Sequence, residues 1–469
     1  MRKNIIVYGE RGDVWDKATE LLSDVIYKYT GELPACVSCG EFANEGTSRC
    51  IYIGTKKNNK YINELSDKAL SHKEEYYISV SDEYIIIEGS DAGGVLYGCA
   101  DFYNKYIIRA ENTDTYINSM DNYFVNPFED KLESFTLSSY PSCERRGLWT
   151  WGHCIYDYRG YIDNMTLLKL NTLIIWNDFP PQNAEEIVSY AHKSNIKIFW
   201  GFPWLWDTKC SQINISSLDG HIDDILNYYE KNYAHLSGDG IYFQSFTELN
   251  DEYIDGILVA QAVTNFVNKV SERILEKYPT LHLQFGLHAT SVREKLDYIR
   301  EVNPQVEILW EDCGAFPFHY EPANLKDFDK SAELACEIAD LRGEQEKFGV
   351  VLKGFTCLDW GKFEHQKGKL CIGVASPKTL ENQTEKSHRT WRYVQACWLR
   401  NGGKAYEMIK LVTEKRRGDL CITALVEDGM FDRIAYFPVA LYAEMLWDNN
   451  SELGDMMRDV ALRDYVEFV

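Results

Sequence analysis

The sequence predicts an α/β protein whose larger part is a (β/α)8 TIM barrel, preceded by a small N-terminal α/β domain. Three observations lead there. From Arg145 onward, short apolar runs alternate with amphipathic helical stretches, the pattern of a parallel sheet with helical crossovers. There are about eight such units over roughly 300 residues, which fits a closed barrel of ~250 residues plus insertions. The first unit, around Trp149–His153, lacks the Gly-rich turn that opens a doubly wound sheet.

Residues 1–110 form the predicted leading domain. Asn4–Tyr8 is a short strand. Val14, Ala18, Leu21, Leu22, Val25, Ile26 and Tyr29 recur at spacings of three and four, so this stretch is a helix with one apolar face. Thr30-Gly31 ends it, because glycine accepts the left-handed cap cheaply. Ile51–Gly54 is a second strand. Tyr76–Val80 and Tyr84–Glu88 flank Ser81-Asp82-Glu83 as a hairpin, and Gly93-Gly94 opens a helix, Val95–Tyr106. Residues 111–144 are rich in Asn, Asp and Ser and read as a linker. Residues 145–469 are the predicted barrel. Its strands are expected at Gly147–Ile155, Thr172–Asn177, Lys197–Gly201, Gly240–Phe246, His282–Leu287, Glu307–Glu311, Val350–Phe355 and Leu420–Leu425.

Charge narrows the function. The chain has 49 basic and 72 acidic side chains, a net of −23. Gripping nucleic acid or an anionic membrane needs clustered Lys and Arg, so neither partner is expected. No phosphate-cradling G-x-x-x-x-G-K-[ST] loop is present, and no run of 18 uncharged apolar residues. The apolar run Ile5–Tyr8 is too short for a signal-peptide core, so a cytoplasmic location is expected. Cys36 and Cys39 have C-x-x-C spacing without a second pair, and zinc needs about four ligands. Neither a bound metal, a disulfide nor a cofactor is expected.

In a barrel, function sits at the C-terminal ends of the strands. Those ends carry Trp149, Trp151 and His153 on strand one, and Trp176, Asn177 and Asp178 on strand two. Strand three ends in Trp200, Trp204 and Trp206, and strand four in Gln244 and Glu248. His288 ends strand five, Trp310, Glu311 and Asp312 strand six, Asp359 and Trp360 strand seven, and Glu427 strand eight. Aromatic walls with a few placed polar groups make a ligand pocket. Aromatic faces suit the C–H faces of sugars, so a carbohydrate is the expected partner. The tryptophans Trp149, Trp151, Trp176, Trp204, Trp310 and Trp360 are expected to line one pocket. His153, His288 and His319 could in principle hold zinc, but isolated histidines more often serve as hydrogen-bonding groups.

Cleaving a glycosidic bond needs an acid for the leaving oxygen and a second negative group. Glu248 closes the alternating run GIYFQSFTELND, and Phe246, Trp204 and Trp310 are expected to raise its pKa, suiting it to donate. Glu311 or Asp312 is the expected second carboxylate.

The leading domain resembles the non-catalytic domain before the barrel of family 20 hexosaminidases and family 67 α-glucuronidases. The residues that carry this are Ala18–Tyr29 with TGELP, Ile51-Tyr52-Ile53-Gly54, and YIIIEGSDAGGVLYG at 84–98. Family 20 places Asp-Glu after strand four, whereas this chain has Thr247-Glu248. The run YFQSFTEL is similar to glycoside hydrolase family 163, endo-β-N-acetylglucosaminidases. That resemblance implies hydrolysis of a β-linked N-acetylglucosamine with a glutamate pair, matching Glu248 and Glu311. Glu248 would be the general acid, and Glu311 with Asp312 would orient the attacking acetamido oxygen or activate water. Two alternatives stand beside it. One is an inverting glycosidase on an acidic sugar, with Arg145, Arg146, Arg159 or Lys353 meeting the carboxylate. The other is a sugar-binding barrel without catalysis.

Overall fold

The computed structural model describes residues 3–43, 46, 48–107, 128, 134–151, 155, 157–177, 179–205, 215–246, 251–288, 292–312, 314, 316–317, 328–343, 346–355, 377–416, 419–426 and 434–469. The leading part is a six-stranded sheet. Its strands are β1 (Lys3–Tyr8), β2 (Ala35–Ser38), β3 (Ser48–Gly54), β4 (Tyr76–Val80), β5 (Tyr84–Gly89) and β6 (Phe135–Ser139), in the order β2-β1-β3-β5-β4-β6. Helix α1 (Asp13–Thr30) buries Ala18, Leu22, Val25 and Ile26, the face its apolar spacing defines, and ends at Gly31 with φ 69°. Helix α2 (Ala92–Asp101) starts where the Asp91 carboxylate accepts the Gly94 amide at 2.7 Å.

Strand β6 lies in the segment read from sequence as a linker. It pairs antiparallel with β4 along its whole length. Phe135 and Leu137 are half-buried while Thr136 and Ser138 are exposed. This edge strand therefore carries only two apolar residues, too few to stand out in a polar stretch.

The barrel follows. Its strands are β7 (Arg145–Trp151), β8 (Thr172–Trp176), β9 (Lys197–Gly201), β10 (Gly240–Phe243), β11 (His282–His288), β12 (Val306–Glu311), β13 (Phe348–Phe355) and β14 (Leu420–Val426). All pair in parallel, and β14 closes onto β7. A helix follows each strand: α3 (Tyr158–Leu167), α4 (Ala184–Lys193), α5 (Ile222–Asn232), α6 (Val259–Lys277), α7 (Leu296–Arg300), α8 (Phe328–Leu341), α9 (Pro377–Lys415) and α10 (Phe437–Trp447). The expected (β/α)8 barrel is thus present. Ala184, Ile187, Val188 and Ala191 show how each helix seals it, since their spacing gives one buried stripe.

Side chains alternate across each strand. The inward set includes Trp149, Ile174, Trp176, Phe199, Tyr242, Leu309, Val351 and Leu425. The outward set packs under the helices and forms the main core. Deep in the barrel, Arg145 holds Glu307, with Nη1–Oε2 at 2.6 Å, and His282 Nε2 lies 2.7 Å from the same carboxylate. Arg145 and Arg146 are therefore not mouth cations. They begin β7, at the end opposite the strand's C-terminus. Arg146 faces outward onto Glu74 of the leading domain, at 2.7 Å. Arg159 lies over the Tyr190 ring, 5.6 Å from its centroid.

The two parts share a buried charged seam. Lys169 meets Asp101 at 2.7 Å, while Lys105 and Arg463 each meet Glu444 at 2.7 Å. Trp447 ends α10 inside the leading domain's core, and its indole N–H donates to Ser139 at 2.8 Å. Helix α10 is buried along its whole length, because α9 and the following helix Leu453–Ala461 pack on it and the leading domain takes its end at Glu444 and Trp447. Burial would raise the Glu444 carboxyl, but the ammonium groups of Lys105 and Lys169 and the Arg463 guanidinium outweigh it and hold it well below the ordinary range.

Among the described residues, no helix is long and apolar enough to cross a membrane, and no group of three His, Cys, Asp or Glu is placed to hold a metal ion. The Cys39 thiol contacts the Asn58 carbonyl at 3.4 Å, and Cys36 lies 3.6 Å from the Ser23 hydroxyl, so the two sulfurs have separate neighbours.

Removing one member of a buried charge cluster strands the others, at about 3–5 kcal/mol. Glu444→Gln should lower the urea-unfolding free energy by that order. An unchanged midpoint would contradict a seam that holds the two parts together.

Candidate active site

The C-terminal ends of the barrel strands bring one set of inward side chains together. Strand β7 supplies Trp149 and Trp151, β8 supplies Trp176, and β10 supplies Tyr242 with Gln244 just beyond it. The ring centroids of Trp149 and Tyr242 are 5.1 Å apart, those of Trp176 and Tyr242 5.8 Å, and those of Trp149 and Trp176 6.1 Å. The Trp149 indole N–H is buried and has no acceptor among the described residues. Buried indoles normally find one.

Glu311 ends β12 beside this group and is 0% exposed. Its Oε1 accepts from the Tyr242 hydroxyl and the Gln244 amide. Its Oε2 lies 2.5 Å from the Lys353 ammonium of β13. Lys353 also sits 5.4 Å from the centroid of the Trp149 ring. The arrangement depends on Gly286 of β11, where a Cβ would stand 2.2 Å from the Tyr242 hydroxyl and 2.5 Å from Glu311 Oε1. Burial would raise the Glu311 carboxyl. The Lys353 charge and the hydrogen bonds from Lys353 and Tyr242 outweigh it, so the group is held below its ordinary value and stays ionised. His288 pairs with Glu311 in register. Burial, then the nearby Lys353 charge, push its pKa down to about 4, so the imidazole is neutral at neutral pH.

Asp312 is different in kind. Its Oδ1 accepts the amides of Gly314 and Lys353, both at 2.8 Å, and its Oδ2 accepts that of Phe316 at 3.1 Å. Burial raises its pKa to about 6 against those three bonds. Its acceptors serve the backbone, which separates it from Glu311, the carboxylate facing the aromatic group.

Two expected pocket tryptophans lie elsewhere. Trp310 falls between Leu309 and Glu311, so the two-residue period turns it outward into the strand–helix core. Trp204 stacks on the outward ring of Phe243, centroids 3.5 Å apart, and Phe243 stacks on Phe285. Phe246 belongs to the same outer core. The aromatic surround expected for Glu248 from these three residues is therefore packing against helices. Asn177 is buried just after β8. His153, Asp178, Trp206, Glu248, Asp359, Trp360 and Glu427 lie outside the described residues. Phe246, three residues past β10, carries φ 54°. A bulky residue there is a strained position of the sort that gathers at functional sites.

Tyr242 was missed from the sequence, and Lys353 was read only as a ligand for acidic sugars. Tyr242 could have been found, because it shares strand parity with Gln244.

The sequence matches no family model and no curated protein. Its fold is found among solved structures. A β-N-acetylhexosaminidase from Bacteroides fragilis NCTC 9343 matches with TM-score 0.57 and 14% identity, over 98% of this chain and 90% of that one. A GH138 enzyme targeting pectin rhamnogalacturonan II matches with TM-score 0.53 and 13% identity, over 96% of this chain. CpGH84B matches with TM-score 0.53 and 10% identity, over 97% of this chain and 70% of that one. This chain spans 64% of the GH138 enzyme's length. What is shared is the fold.

The Glu311–Lys353 pair makes stability depend on pH. A carboxylate held below its unfolded pKa stabilises above that value, and the contribution fades as pH falls through the folded pKa. Lys353→Met leaves the buried carboxylate without its counter-ion. The loss should be about 3–5 kcal/mol at pH 7 and smaller at pH 4, where the carboxyl can protonate. Urea unfolding at both pH values checks this, and equal losses would contradict the pairing.

Proposed function

We propose that this chain is a glycoside hydrolase acting at the C-terminal mouth of its barrel. The observation that carries the reading is a buried, ionised Glu311 beside Trp149, Trp176 and Tyr242, in a fold shared with glycoside hydrolases. The proposed substrate carries a β-linked N-acetylglucosamine. The sugar's apolar face rests on the tryptophans, and the Trp149 N–H is a ready donor for one of its oxygens.

In this reading Glu248 is the general acid. It gives its proton to the glycosidic oxygen while the acetamido oxygen attacks the anomeric carbon, and the leaving alcohol departs. Glu311 keeps its negative charge and accepts the acetamido N–H, which steadies the positive charge that develops on the cyclic intermediate. A carboxylate has about four acceptor positions, and Tyr242, Gln244 and Lys353 use three on Glu311. Water, deprotonated by the Glu248 carboxylate, then opens the ring with retention of configuration. An ionised Glu311 fits the orienting role and not the donor's, which divides the work between the two glutamates.

Charge supports a neutral sugar over a glucuronide. Of the cations weighed for an acidic substrate, Lys353 is matched by Glu311, Arg145 by Glu307, and Arg146 by Glu74. Arg159, the fourth, lies over the Tyr190 ring, and His288 is neutral.

Glu248→Gln should slow hydrolysis of glycosides with poor leaving groups on the order of 10²–10⁴-fold. Acidic aryl leaving groups need less protonation and should suffer less. Parallel kinetics on alkyl and nitrophenyl N-acetylglucosaminides check this. Wild-type rates for the alkyl substrate would remove Glu248 from the role, and no hydrolysis by the wild type of any glycoside would refute the reading.

A further inference from the structure

Lys353 reaches Glu311 from an irregular stretch of β13. Val351 points into the barrel, and regular alternation would send Leu352 out, Lys353 in and Phe355 in. Instead Phe355 lies outside, its ring stacked on Trp398 with centroids 4.8 Å apart. The register explains this. Leu352 pairs with Ala424 and Phe355 with Val426, so three steps on β13 oppose two on β14. The strand carries one extra residue, a β-bulge, and Lys353 stands in it. Bulges re-aim side chains next to active sites.

A bulge gives up ladder hydrogen bonds, so something else must hold its backbone. Here the holder is Asp312. Its carboxylate takes the Lys353 amide at 2.8 Å, and its own amide donates to the Val351 carbonyl at 3.0 Å. The same carboxylate takes the amides of Gly314 and Phe316, which folds the loop after β12 against the bulge. Gly354 completes the contact, because a Cβ there would stand 2.6 Å from the Phe316 carbonyl oxygen. On the far side, the Trp398 indole donates to the Gly354 carbonyl at 2.8 Å.

We propose that Asp312 is a positioning residue that fixes the bulge of β13 and so keeps the Lys353 ammonium on Glu311. The proposal rests on the glycosidase reading only for its kinetic readout. Adjacent Glu311 and Asp312 then have separate tasks. Glu311 faces the substrate, and Asp312 sets the charge that keeps Glu311 ionised. Among the described residues, the titratable groups facing Glu311 are Lys353 from β13, Tyr242 from β10 and His288 from β11. Lys353 is the cation among them at neutral pH, so displacing it must raise the Glu311 pKa.

The test is the pH dependence of kcat/KM for an aryl N-acetylglucosaminide, whose acidic limb reports the group that must be ionised. In Asp312→Ala the limb should move up by about one pH unit or more, a tenfold or larger change in proton affinity. Lys353→Met should move it in the same direction, and the double variant no further than Lys353→Met alone. Gly354→Ala separates loop and bulge without altering Asp312, and should shift the limb the same way if Asp312→Ala fails to fold. An unmoved limb in Asp312→Ala beside a moved one in Lys353→Met would overturn the proposal, as would additive shifts. If the wild type hydrolyses nothing, the functional reading fails. The positioning claim is then read from a ¹³C NMR titration of the Glu311 carboxyl in the same variants, where an unchanged pKa in Asp312→Ala overturns it.

Discussion

A carboxylate enclosed in a closed barrel must be matched by donors or it will take up a proton. In this protein Glu311 is matched three ways, by Tyr242 and Gln244 at the end of β10 and by Lys353 of β13. Much else follows from that requirement. Gly286 is small because Tyr242 and Glu311 fill the space a Cβ would need. Strand β13 bulges where Lys353 turns inward. The neighbouring Asp312 is committed to backbone amides. A dry interior strengthens each of these interactions, because charge is weakly screened there.

The same logic recurs at two deeper levels. Near the start of β7, Arg145, His282 and Gln284 surround Glu307, which their charge and hydrogen bonding hold far below the usual carboxylate range against its burial. At the domain seam, Asp101 and Glu444 are met by Lys105, Lys169 and Arg463. Such pairs add little net stability compared with apolar packing, yet breaking one is costly. They therefore fix how the parts meet. Helix α10 ties the seam to the barrel, since Trp447 reaches the leading core while the Tyr442 hydroxyl donates to the Gly147 carbonyl at 3.1 Å.

The barrel was legible in the sequence because parallel strands buried on both faces read as short continuous apolar runs. Lys197–Gly201 was found to the residue, and Thr172–Asn177 and Glu307–Glu311 to within one. The direction of each side chain was harder to read. Trp204 and Trp310 were expected in the pocket for their residue type and place near strand ends, where position on the pleat decides. Glu311 and Leu309 share one parity and Trp310 the other, so its outward turn was available from the sequence. The bulge that turns Phe355 outward beyond Lys353 was not, because an extra residue leaves no mark in an apolar run. Edge strand β6 was hidden for a related reason: half-buried on one face, it looks like polar chain.

The most direct test of the central claim is a crystal structure of the protein with N-acetylglucosamine bound. The account predicts the sugar at the C-terminal ends of the barrel strands, its ring against Trp149 and Trp176. The acetamido N–H should lie within hydrogen-bond distance of Glu311, whose contact with Lys353 persists. A sugar bound away from these strand ends, or one whose acetamido group does not reach Glu311, would contradict it.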